Sequence, residues 1–98
     1  MGEIITYQFV SKFLDSINAE NKLSFVDFQV ILRYVFFKLD LMEKLKHNRK
    51  IIIRDKIILM DILTRLDLII SQGLICEENL KETMLKLIDD CYEKLDTF

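Results

Sequence analysis

The sequence predicts an all-α protein, a small antiparallel four-helix bundle with helices over about residues 3–18, 24–46, 49–72 and 77–96 and the third at its centre. Three observations lead there. The 98 residues include no proline and only two glycines, so turns are few and helices long. Apolar residues recur at three-and-four spacing through most of the chain, which places them on one side of a helix. Polar breaks, including the turn-forming NAENK of Asn18 to Lys22 and the KHNR of Lys46 to Arg49, separate those stretches, and short connections favour antiparallel neighbours.

The first helix carries Ile5, Phe9, Val10, Phe13, Leu14 and Ile17 on one face and Tyr7, Lys12, Asp15 and Ser16 on the other. Ser24 starts the second as an N-cap for the amide of Asp27, an acid that suits the positive helix end, while Leu23 is placed to staple onto Phe28. Two apolar stripes follow. One runs through Phe28, Ile31, Val35, Leu39 and Met42, the other through Val26, Val30, Tyr34, Phe37 and Leu41, so this helix requires covering on two sides.

The third helix, KIIIRDKIILMDILTRLDLIISQ from Lys50 to Gln72 with Asn48 as its N-cap, organises the rest. Its main stripe is Ile52, Leu59, Ile62, Leu63, Leu66, Ile69 and Ile70. A second apolar set, Ile53, Ile57, Met60 and Leu68, lies off it, leaving a narrow polar strip through Arg54, Asp61, Arg65 and Gln72. A helix this apolar around its circumference is a central one. Ile51 to Ile53 also favour a strand, but no evident partner strand exists. Gly73 ends the helix in the left-handed conformation, with Leu74 folding back on Ile69. In the fourth, Cys76 is a weak cap with Ile75 and Leu80 as its staple, Glu77 and Glu78 occupy the first turn, and Leu80, Met84, Leu87, Cys91, Leu95 and Phe98 share a face with Ile88 beside it.

A chain of this length forms one domain, residues 1–98. Apolar residues make up 51% of it, high for a small protein that hides only about 60 to 70% of its unfolded surface. The surplus on the second and third helices therefore predicts a companion: a homodimer, a protein partner, or both. No apolar run approaches the ~20 residues of a membrane span. The start, MGEIITYQFVSKF, lacks the basic region and cleavage site of a secretion signal, and its Gly2 and Thr6, which fit the loose myristoylation pattern, are better read as the beginning of the first helix. With two cysteines, Cys76 and Cys91, no disulfide framework is expected, and the chain is read as cytoplasmic with free thiols.

No catalytic, cofactor-binding or metal-ligating residues are assigned, and no cofactor is expected. His47, the single histidine, sits in a turn without an orienting partner, and Cys91 belongs to an apolar stripe, as a structural cysteine does. The adjacent acids Glu77 and Glu78, and Asp89 and Asp90, point about 100° apart on a helix, which prevents convergence on a metal. Asp61 and Arg65 have the spacing of an ion pair along one helix. Charge is unevenly distributed. From Lys44 to Lys56 there are six basic residues against one acid, whereas Glu77 to Phe98 holds seven acids and three bases, in a chain of net charge −2.

The run LDLIISQGLICEENL from Leu66 to Leu80 resembles the segment just before the wing of winged-helix DNA-binding domains over about ten residues. Its continuation is acidic and helical, with no hairpin for a wing. The expectation is therefore a non-enzymatic protein-binding module of the inhibitor, immunity or chaperone type, self-associating through the apolar stripes on the second and third helices. Tyr34, Phe37 and Leu41 are its candidate contacts. The alternative is a nucleic-acid-binding regulator, with Lys44, Lys46, Arg49, Lys50 and Arg54 docking on phosphates.

Overall fold

A computed structural model describes residues 5–98 and shows four α-helices arranged as a small all-α bundle: α1 (Tyr7–Asp15), α2 (Phe25–Lys44), α3 (Arg49–Ser71) and α4 (Lys81–Asp96), the last preceded by a 3-10 turn at Glu78–Leu80. The expected ends hold where a side chain specifies them. Ser24 Oγ accepts from the Asp27 amide at 3.1 Å and Asn48 Oδ1 from the Ile51 amide at 3.2 Å, each supplying one acceptor to a first turn that lacks its own. At the far end of α3, Gly73 has φ of 77°. Its amide bonds the Ile70 carbonyl at 3.0 Å, and the Leu74 amide bonds that of Ile69 at 3.1 Å, the paired bonds of a Schellman stop.

Four boundaries differ from expectation. The first helix begins at Tyr7, because Thr6 caps it through the Phe9 amide; the expected start at Glu3 and the reading of Gly2 fall outside the described residues. It stops at Asp15, where the Ser16 hydroxyl bonds the Phe13 carbonyl and Asn18 Oδ1 turns the chain by accepting from Glu20 and Asn21. The second ends at Lys44. The fourth opens as a 3-10 turn because neither Cys76 nor Glu77 caps it. Glu77 instead accepts from the Phe25 amide at 2.7 Å, so an acid expected to serve its own helix serves the start of α2.

As expected, α3 is the central element, packed on α1, α2 and α4. Leu59, Ile62, Leu63, Leu66, Ile69 and Ile70 are buried along it. They meet Phe28, Val35, Leu39 and Met42 of α2, Val10 and Leu14 of α1, and Met84, Ile88, Cys91 and Leu95 of α4 in one core. Truncating any of the large aliphatic residues here to alanine costs about 2 to 5 kcal/mol. The two loops at one end are tied together: the Leu23 amide bonds the Leu74 carbonyl at 2.9 Å and the Cys76 amide returns to the Leu23 carbonyl at 2.8 Å, an isolated parallel bridge between two fully buried residues, Leu23 and Ile75. Among the described residues, Ile51 to Ile53 are helical and form no strand.

A short helix such as α1 is unstable by itself, and polar bonds hold it to α3. The Tyr7 hydroxyl donates to Asp61 at 2.6 Å. Arg65 donates to Ser11 Oγ at 2.8 Å and to the Ser11 carbonyl at 3.0 Å, and it pairs with Asp15 and Asp61. The bond to Asp61 is the first cause, ahead of burial, that raises the Tyr7 pKa above the usual tyrosine value. The narrow polar strip of α3 is thus the seat of α1.

Candidate interaction surface

With one face of α3 in the core, its second apolar set lies outside. Ile53 is 61% exposed, Ile57 65% and Leu68 57%, with Met60 on the edge of the same strip. At 100° per residue these four fall within about 80° of helix circumference. On α2 the second stripe is also outermost: Val26 is 66% exposed and Phe37 63%, while Val30 and Leu41 are half-buried between neighbours.

Of the three candidate contacts, Phe37 therefore lies on the surface, Leu41 is half-buried and Tyr34 is not exposed. Tyr34 is part of the core. It sits about 60° around α2 from Phe37, enough to turn its ring towards α3 and away from solvent. Lys38 Nζ lies 5.9 Å from the centre of that ring. Burial, and next the charge of Asp55, raise the Tyr34 pKa above the usual value, so the hydroxyl stays protonated.

Two features were not foreseen. Phe9, expected on the buried face of α1, is exposed, and with Phe13, Val30 and Asp27 it lines a cleft of about 110 Å³ between α1 and α2. The clue was available in the width of the apolar arc, which on so short a helix exceeds what one neighbour covers. The other is Asp55, fully buried at 0% exposure. Its Oδ1 takes Arg54 Nε at 3.2 Å and lies 3.8 Å from Lys38 Nζ, while Oδ2 has no partner. The spacing carries the signal: Asp55 is four positions before Leu59 and seven before Ile62, on the main apolar stripe of α3. Above it, Tyr7, Phe37, Lys38, Arg54 and Ile58 line a shallow, open hollow of about 460 Å³.

The five basic candidates are all exposed, but three have acid partners. Lys44 pairs with Asp40 at 3.1 Å, Lys46 with Glu43 at 3.5 Å, and Arg54 with Asp55. Arg49 and Lys50 form no ion pair among the described residues. Asp40 and Glu43 lie just before the basic stretch from Lys44 to Lys56, so the local positive excess is smaller in space than in sequence, which lowers the attraction for phosphates.

Among the described residues no three His, Cys, Asp or Glu side chains converge on a possible metal position, and no helix is long and apolar enough to cross a membrane. Cys76 is exposed with a free thiol, donating weakly to the Lys22 carbonyl at 3.6 Å. Cys91 is buried, and burial pushes its thiol up to about 11, which keeps it unreactive at neutral pH. No protein family, curated protein or solved structure matches this chain.

Proposed function

We propose that this chain is a small non-enzymatic protein-binding module that works through the apolar surface left on α2 and α3. One observation carries the reading. The core is closed and well filled without Ile53, Ile57 and Leu68 on α3 or Val26 and Phe37 on α2, yet all five large side chains face solvent. Single exposed apolar residues are ordinary, but an aligned row such as that on α3, with Val26 and Phe37 exposed on α2, supplies the apolar surface that protein contacts use. Charged side chains border the rows and supply the polar rim of such a contact. An inhibitor, immunity protein or chaperone needs this much and no catalytic group.

Capture from an extract of the protein's own host cells, with wild type and the Phe37→Glu variant side by side, tests the reading. Phe37 is largely outside the core, so the variant folds, as circular dichroism will verify. Proteins retained by wild type and lost from the variant support the proposal. Identical retention by Phe37→Glu and by the matching α3 variant Ile57→Asp overturns it.

A further inference from the structure

The exposed row on α3 has an internal symmetry. Ile53 and Leu68 are equidistant from the midpoint between Met60 and Asp61, as are Ile57 and Thr64. Reversing the helix end for end therefore lays the row on itself, Ile53 over Leu68 and Ile57 over Thr64, with Met60 beside its own copy. We propose that the α3 face binds a second copy of this chain, the two α3 helices running antiparallel about a two-fold axis that passes near Met60. This rests on the protein-binding reading and names the occupant of one of its two surfaces.

Charge selects a copy, and its direction. Lys56 and Asp67 form no ion pair among the described residues and are both half-buried. They are eleven positions apart, which places them about 20° apart around the helix and on the same flank of the apolar row. A two-fold axis perpendicular to antiparallel helices brings like flanks together. Lys56 of each copy then meets Asp67 of the other with an axial offset of about 3 Å, well within the reach of a lysine. The pair occurs twice, as symmetry requires. A parallel arrangement instead stacks the basic first half of α3, with Arg49, Lys50, Arg54 and Lys56, on its own copy and aligns the two helix dipoles unfavourably. The like-charge approach near the axis is Asp61 to its copy. Each Asp61 is already bonded by the Tyr7 hydroxyl and paired with Arg65 at 3.6 Å, which removes much of the repulsion.

The row runs about 22 Å along the helix, with the edges of α1 and α4 on either side. This is a contact at the small end of specific interfaces, so the association is weak and depends on concentration. The α2 face, with Phe37 and Val26, lies on a different helix and remains free for another partner.

The test is sedimentation or light scattering of the full chain from about 1 µM to about 1 mM, the range a small interface calls for. Wild type is expected to pass from monomer to dimer, and Ile57→Asp to weaken dimerisation at least tenfold while circular dichroism remains unchanged. A second measurement fixes the geometry. In a Cys76→Ser background, Met60→Cys forms a disulfide between copies under mild oxidation. Ile53→Cys does not, because its copies are about 22 Å apart along an antiparallel pair. A chain monomeric over the whole range overturns the inference, as does cross-linking at position 53 as readily as at 60, or dissociation by Phe37→Glu and not by Ile57→Asp. A monomer that still loses a captured protein on Ile57→Asp substitution overturns the dimer alone and leaves the protein-binding reading standing.

Discussion

Replacing the exposed row of α3 should cost the fold little, and the cost follows from exposure. Ile57 is 65% exposed, so about one third of a side chain whose full burial contributes about 1.5 to 3 kcal/mol is at stake, or about 0.5 to 1 kcal/mol. Glutamine has a somewhat better helix propensity than isoleucine and returns a few tenths of that. Ile57→Gln should therefore lower unfolding free energy by about 0.3 to 0.8 kcal/mol. The triple variant with Ile53→Gln and Leu68→Gln, at similar exposures, should lose about 1 to 2 kcal/mol. Leu66→Ala, on the opposite face of α3 and fully buried, should cost about 2 to 5 kcal/mol by itself. The assay is urea unfolding followed by far-ultraviolet circular dichroism at about 1 µM, where a weak dimer is dissociated. A loss above about 2 kcal/mol for Ile57→Gln with an unchanged denaturant slope would falsify the claim that this row is surplus to the monomer. Repeating the melt at high concentration should stabilise wild type and not the triple variant.

Asp55→Leu should raise stability by about 1 to 3 kcal/mol in the same urea assay, because the buried carboxylate has one unpartnered oxygen and a 3.8 Å approach to Lys38, poor compensation for desolvating a charge; a net loss would show that the Arg54 and Lys38 contacts outweigh that cost. A thiol reagent at neutral pH should label one cysteine rapidly, Cys76, and reach Cys91 only on unfolding; fast labelling of both in native protein would refute the closed core around α4. The Cys91 thiol is held up at about 11 from 9.0, so its contribution is complete below pH 9. It should decline by about 2 to 3 kcal/mol as pH rises from 9 towards 11, and this decline should be absent from Cys91→Ala.

The fold class, the central position of α3, and the caps at Ser24, Asn48 and Gly73 were legible in the sequence because each depends on interactions within a few residues: a repeat of three and four, a side-chain oxygen three positions from an amide, a glycine free to take a positive φ. The second rows on α2 and α3 were legible for the same reason, as a count of apolar residues per helix circumference. Which neighbour covers each row was not. Tyr34 and Phe37 are three positions apart on one stripe, yet one is in the core and the other in solvent, because α3 and α4, which pack on α2, leave the side that bears Phe37 uncovered. Phe9 is outside because α1 is anchored on α3 by Tyr7, Ser11 and Arg65, partners more than fifty positions apart in sequence. Glu77 came to bond the start of α2 and Leu23 met Ile75 for the same cause, whereas Asp55 is buried because it falls on the main stripe of α3. Local pattern determines which helices form and how much apolar surface each one carries, while the choice of what that surface meets is made by long-range packing, which no short window of sequence contains.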